Sequence, residues 1–245
     1  MSKGFFDIHC HYLYGVDDGS KSPEMTLRML DQSYQQGVRN VILTPHYNPK
    51  AFKMGIRDIK SRYEEFRELV KREGHPDMKF WLGSEIFYHK GTTPEDMLKG
   101  HVISLAKSRY ILIEFQTNVE FSYIESAVSE AQGAGYIPIL AHIERFDALR
   151  GDLEKVSLIK DEGALIQVNA STIIGSDGFR IKSFAKKLLK NRLVDFVGTD
   201  THRDAKWRVP NLGAAAEYIY KKCSENYADE IFIHNPAMIV RNELP

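Results

Sequence analysis

The sequence has 245 residues, enough for one large domain or two small ones, with 43% hydrophobic and 27% charged residues, as in an ordinary soluble globular protein. Lys plus Arg equals Asp plus Glu at 33 each, so no basic excess steers a polyanion, and a nucleic-acid partner is not expected. Two cysteines, Cys10 and Cys223, cannot build a disulfide framework, and Val16 and Asp229 stand where a Cys-x5-Arg phosphatase loop needs its arginine.

The first residues, Met1 to Phe6, do not read as a secretory signal, because Asp7 and His9 soon interrupt the apolar run. No apolar stretch is long enough to span a bilayer, so no membrane insertion is expected, and the cysteine usage agrees with a reducing cytoplasm, the expected location. Apolar, β-branched runs then alternate with amphipathic stretches. Strands are expected at 5–9, 38–43, 79–85, 110–115, 137–142, 165–169 and 194–199. Their nearly continuous apolar character suits parallel strands covered on both faces. Ser22-Pro23 reads as an N-cap with proline at the first helical position, and Gly37 closes that helix, in which Leu27, Leu30 and Tyr34 share a face. Ile124, Val128 and Ala131 do the same in a helix over 123–134. The Lys- and Arg-rich stretch 180–192 reads as the solvated face of an outer helix.

About seven β-α units without a linker predict one domain over 1–245, a closed or nearly closed α/β barrel. The alternative is an open doubly wound sheet. It lacks the Gly-x-Gly-x-x-Gly or Walker loop that a nucleotide-binding version would carry after the first strand.

The expected strands end in chemistry-bearing residues. The first runs into Asp7-Ile8-His9-Cys10-His11, where His9 and His11 share a face and Cys10 points away, as a small packing residue. Others finish in His46, Glu85, Glu114 and His142, and the last in Asp200-Thr201-His202. All lie at carboxyl ends, where a barrel assembles its active site. Buried carboxylates and imidazoles are costly unless paired or bound to metal, so their convergence points to a metal centre. Asn169, ending the sixth strand, is a candidate for hydrogen bonding behind the ligands. His75, His89, His101 and His234 fall in loops or helix ends and are expected to be uninvolved.

Asp7-Ile8-His9-Cys10-His11, Val16-Asp17-Asp18-Gly19, Thr44-Pro45-His46, Gly83-Ser84-Glu85-Ile86, Ala141-His142-Ile143-Glu144-Arg145 and Asp200-Thr201-His202 together resemble the polymerase and histidinol phosphatase (PHP) superfamily. Within it, the chain is similar to the bacterial capsule-biosynthesis tyrosine-protein phosphatases over nearly its whole length, through Asn235-Pro236. The resemblance implies a distorted (β/α)7 barrel with three divalent metals, manganese foremost, with iron, zinc or magnesium as alternatives. Carried over, His9, His11, Glu85 and Asp200 would hold one metal. Glu85 would bridge to a second, held also by Glu114 and His142. Asp18, His46 and His202 would hold the third, with Asp17 as the alternative to Asp18. Arg145 would grip the phosphoryl group, and Arg208, at a spacing that departs from the family's, is the candidate for a second arginine. The implied partner is a phosphotyrosine protein, the tail of a bacterial tyrosine kinase controlling capsular or exopolysaccharide synthesis.

An imidazole and carboxylate set without thiolate suits Mn, Zn or Fe. Close cations lower the pKa of a bridging water from 15.7 towards about 7, so in-line attack by metal-bound hydroxide is the expected chemistry. Arg145 would give bidentate hydrogen bonds, Asp200 and His202 are the other catalytic candidates, and an aspartate or histidine at the third metal could protonate a leaving oxygen, although a phenolate (pKa about 10) needs little help. Three rivals stay open. One is a small-metabolite phosphatase such as histidinol phosphatase. Another is an amidohydrolase, although Glu114 stands where many carry a carboxylated lysine. The last is a catalytically silent metal-binding domain.

Overall fold

The computed structural model describes residues 4–48, 50–52 and 54–245; the first three residues of the stretch read above as no signal lie outside the described residues. Strand β1 (Phe5–Asp7) pairs with β2 (Val38–Leu43), and β2 with β4 (Lys79–Leu82). A second set runs β3 (His46–Tyr47), β5 (Glu85–Phe87), β6 (Tyr110–Glu114), β7 (Ile137–Leu140), β8 (Leu165–Asn169) and β9 (Phe196–Gly198). Every pairing is parallel. Just past β1 and β9 the chain bridges again between Cys10 and Thr201, where the His11 amide donates to the Thr201 carbonyl at 2.9 Å. The parallel sheet therefore curls back towards its own first strand.

Helices α1 (Pro23–Gln35), α2 (Ile56–Glu73), α3 (Thr92–Leu98), α4 (Phe121–Gly133), α5 (Leu153–Asp161), α6 (Ala170–Ile174), α7 (Phe179–Lys190), α8 (Leu212–Lys222), α9 (Glu225–Asp229) and α10 (Asn235–Arg241) complete the mixed α/β fold. Ser22 caps α1 by accepting from the Met25 amide, Pro23 opens it, and Gly37 (φ +89°) leaves it, as the sequence predicts. The buried stripe of α1 is Met25, Met29 and Leu30, with Leu27 and Tyr34 only at its flanks. Tyr34 is drawn outward by His75 stacked on its ring and by the Arg39 guanidinium over it. Helix α4 buries Ile124, Val128 and Ala131 as expected. Helix α7 buries Phe184, Ala185, Leu188 and Leu189 and turns its charged side outward. Among the described residues, no helix is long and apolar enough to cross a membrane.

Two apolar layers sit on either side of the sheet. The larger packs strand residues such as Val41, Ile113 and Val168 against the helices. The smaller, on the concave face, joins Phe6, Ile42, Trp81, Leu112, Ile139 and Phe196 to Ala237 and Ile239 of α10. Tyr110 at the start of β6 donates its hydroxyl to the Glu243 carbonyl at 2.8 Å, so the C-terminal segment covers the amino ends of the strands. The concave face runs on, two residues at a time, into polar groups at the carboxyl ends. Ile42 leads to His46, Trp81 and Gly83 to Glu85, Leu112 to Glu114, and Phe196 to Asp200.

The expected strand at 79–85 is interrupted. A Cβ at Gly83 would meet Leu105 Cδ2 at 2.5 Å, and Ser84 Oγ donates to the Ile103 carbonyl at 2.8 Å. The segment around Leu105 thus wedges in beside the strand and splits it into β4 and β5. The first expected strand also ends early, at Asp7, which frees the backbone to present both His9 and His11.

Candidate metal centre

The expected ligands meet at the carboxyl ends of the strands. His9, His11, Glu85 and Asp200 each offer one ligand atom within 4.8 Å of the others. A second group is His11, Asp18, His46 and His202, and a third is His46, Glu85 and Glu114. The first set matches the expected one. The second adds His11 to Asp18, His46 and His202. In the third, His46 stands where His142 was expected, with Nδ1 3.0 Å from Glu85 and 2.9 Å from Glu114. His142 is nonetheless present, with Nε2 2.9 Å from Glu85 and 3.8 Å from Glu114. Glu85 is the shared hub of the cluster.

This crowd of donors is not satisfied by the protein. His9 Nε2, His11 Nε2, Asp18 Oδ1, His46 Nδ1, Glu85 Oε2, His142 Nδ1 and His202 Nε2 are all buried without a well-formed hydrogen bond, and most meet only one another, at ion-pair distances. An orphaned buried polar atom costs about 1–3 kcal/mol, so a set of them in one place fits cations rather than packing. Burial disfavours a charged Glu85, but facing His9 and His46 outweighs it and holds that carboxyl well below its usual range. Asp200 is held low in the same way, by His9, His11 and the two arginines. Burial opposes a charged His46, yet Glu85 and Glu114 raise it to about 9. Burial and neighbouring His11 instead push His202 down to about 4, leaving a neutral imidazole of the kind a metal takes. Without cations, protons on the raised imidazoles balance the carboxylates.

The outer contacts set which nitrogen faces inward. Acceptor oxygens stand against His9 Nδ1 (Gln167 Oε1, 3.0 Å), His11 Nδ1 (Asp17 Oδ2, 2.7 Å) and His202 Nδ1 (the Asp200 carbonyl, 3.0 Å). Each Nδ1 therefore carries the hydrogen and each Nε2 turns its lone pair into the cluster. Gln167 Oε1 also accepts from the His142 amide, while its Nε2 donates to Asn169 Oδ1. Asn169 Nδ2 in turn donates to Asp200 Oδ2 at 2.9 Å, which places the sequence's candidate Asn169 behind the ligands. Gln167 was missed, although it shares the inward face of β8 with Asn169 two residues on.

Of the acidic pair, Asp18 turns its Oδ1 to His46 and His202, and Asp17 lies behind His11. Asp17 also accepts from the Gly19 and His46 amides at 2.8 and 3.0 Å. Gly19 permits this turn, since a Cβ there would lie 2.4 Å from the His11 carbonyl oxygen. Asp17→Asn should weaken divalent-metal affinity by about 10–100-fold, read by competition with a chromophoric chelator. Unchanged affinity would mean that His11 orients without it.

His142 (φ 35°) and Asp200 (φ 52°) both hold left-handed backbone, a strained geometry for residues with a Cβ that clusters at functional sites. Arg145 Nη1 donates to Asp200 Oδ2 at 3.0 Å, and Arg208 Nη2 donates to Asp200 Oδ1, so the loop after β9 does deliver its arginine. The neighbouring Arg203 instead clamps the Asp18 carbonyl at 2.5 Å.

Cys10 faces away as expected, buried, with Sγ 3.6 Å from the Ile42 carbonyl. Burial raises its thiol pKa well above normal, the opposite of a nucleophile's. Cys10→Ser should retain most activity at a stability cost of about 1 kcal/mol, checked by kinetics and thermal melts. Loss of activity in a folded variant would point to a direct role. His75, His89, His101 and His234 belong to none of the metal-type groups among the described residues.

Residues 5–241 match the protein family described as Capsular polysaccharide synthesis, CpsB/CapC. Tyrosine-protein phosphatase CpsB of Streptococcus pneumoniae is 33% identical over 243 residues, covering 97% of this chain and 99% of its own length. Tyrosine-protein phosphatase YwqE of Bacillus subtilis (strain 168) is 29% identical over 237 residues, with 97% and 92% covered. The fold matches a crystal structure from work on YwqE and on CpsB from Streptococcus pneumoniae, described there as metal-dependent tyrosine phosphatases. The TM-score is 0.89 at 27% identity, with 98% and 95% of the two chains covered. A phosphotriesterase homology protein from Escherichia coli, TM-score 0.61 at 14% identity with 97% and 99% covered, shares the fold alone.

Proposed function

The chain belongs to the capsular polysaccharide synthesis CpsB/CapC family, and on that premise we propose that it is a metal-dependent tyrosine-protein phosphatase. The observation that carries this reading is the ring of buried, unpartnered imidazole and carboxylate atoms around Glu85, with two arginines at its edge. We assign three divalent ions, manganese foremost and iron, zinc or magnesium as alternatives. His9, His11, Glu85 and Asp200 would hold one, Glu85, Glu114 and His142 the second, and Asp18, His46 and His202 the third. When bound, the ions would supply Lewis acidity, polarising the phosphoryl group and acidifying a water.

The chain's own residues do the rest. Arg145 and Arg208 sit on either oxygen of the Asp200 carboxylate and are partly open to solvent, so their remaining donors can take non-bridging phosphoryl oxygens. Asp200 and His202 act through the charge they hold in place. The departing phenolate, with a pKa of about 10, needs little protonation.

We count the nine strands among the described residues as seven passes of the chain, because β2 with β3 and β4 with β5 are each one interrupted strand. This reading is a distorted (β/α)7 barrel forming a single domain over 1–245. The proposed partner is a phosphotyrosine protein, the tail of a bacterial tyrosine kinase controlling polysaccharide export, met in the cytoplasm.

The test is turnover by metal-loaded protein of a phosphotyrosine peptide against histidinol phosphate. We expect the peptide to be preferred by about tenfold or more in kcat/KM, and activity to vanish after chelation and dialysis. Preference for histidinol phosphate would favour the metabolite reading, and full activity after chelation would end the metal mechanism.

A further inference from the structure

The Arg145 guanidinium lies between two carboxylates. On one side Nη1 donates to Asp200 Oδ2 at 3.0 Å. On the other, Asp177 Oδ1 stands 3.9 Å from Nη2, close enough to attract a guanidinium but too far to use up one of its hydrogens. Asp177 does not depend on Arg145 for its own place. Its Oδ2 is bonded by the hydroxyls of Ser171 (2.7 Å) and Thr172 (2.6 Å) on α6. The turn that carries it has glycines in the left-handed region on both sides, Gly175 (φ 101°) and Gly178 (φ 97°). The start of α6, just before that turn, also grips the residue before Arg145. Glu144 Oε1 accepts from the Asn169 amide at 3.0 Å and lies 2.8 Å from Thr172 Oγ1.

We propose that Asp177 is a positioning residue that keeps Arg145 available to a phosphoryl group, an inference that rests on the phosphatase reading above. Asp200 is buried and already takes Arg208 and Asn169. A second, unopposed guanidinium would swing wholly onto that carboxylate and spend its paired donors there. The fixed charge of Asp177 pulls from the opposite side without forming a hydrogen bond. Nη2 therefore stays directed to the mouth with free hydrogens. Bidentate recognition of a tetrahedral anion needs that geometry.

The consequence has a distinctive sign. An aspartate that merely added negative charge near an anion site would weaken anion binding, so its removal would tighten it. Asp177 as a positioning residue predicts the reverse. In metal-loaded protein, Asp177→Ala and Asp177→Asn should each raise the Kd for inorganic phosphate about tenfold, measured calorimetrically. Asp177→Glu should recover most of that loss. The kinetic loss on a phosphotyrosine peptide should fall mainly in KM, with metal content unchanged. In an Arg145→Ala background the Asp177 substitutions should have no further effect.

Phosphate binding as tight as, or tighter than, that of the parent protein would overturn the proposal. So would a loss that persists undiminished without Arg145. Because phosphate affinity is read without turnover, the two readings separate. A chain that binds phosphate in this pattern but spares phosphotyrosine peptides would retire the phosphatase assignment and leave the role of Asp177 standing. Asp177→Asn, which keeps an acceptor for Ser171 and Thr172, serves if the alanine variant misfolds.

Discussion

Glu85→Gln should lower kcat/KM on a phosphotyrosine peptide by about a thousandfold, because close cations are worth several kcal/mol and each 1.36 kcal/mol is tenfold in rate. Glu85 is 1% exposed and faces His9 at 3.1 Å, His11 at 3.3 Å, His46 at 3.0 Å and His142 at 2.9 Å. Among the described residues it is the one carboxylate common to two of the metal-type groups. Glutamine keeps the shape but removes the charge and replaces one oxygen by a donor, which points the wrong polarity at a cation. The bound metal should fall with the activity. A glutamine variant with full metal content and near-parental kinetics would show that Glu85 is not the hub.

Arg145→Ala should cost about 10²–10³ in kcat/KM, the range found when a preorganised donor to developing charge is removed. Metal content should not change, since Arg145 offers no lone pair to a cation. This separates it from Glu85, for which metal and activity fall together. Arg145→Lys should restore little, because an ammonium cannot present two parallel donors to a phosphoryl group. Steady-state kinetics with elemental analysis of each variant checks both points. A lysine variant at parental activity would reduce Arg145 to a simple positive charge.

Much of this arrangement could be read from the sequence because strand periodicity is strict. Leu112 and Glu114 must share a face once the strand at 110–115 is right, and the other ligands were placed by their position at or just past the strand ends. The choice between Asp17 and Asp18 could not be read, because it turns on the tight approach of Gly19 to the His11 carbonyl. The break at Gly83 was equally hidden, since it is imposed by Leu105, far along the chain. Gln167 did carry a signal, a polar residue on the inward face of an apolar strand, and it holds both His9 and the His142 amide. Asp177 carried none. It acts from a turn after α6, and only the folded chain brings it to Arg145.

On the proposed function, Glu85 and the imidazoles around it bind cations on which hydrolysis depends. Elemental analysis of the purified protein, before and after chelation and alongside phosphotyrosine peptide turnover, addresses it most directly. About three divalent ions per chain are expected, one for each proposed ligand set, with activity lost and regained as they are removed and restored. A chain hydrolysing the peptide at full rate with no bound metal would contradict it.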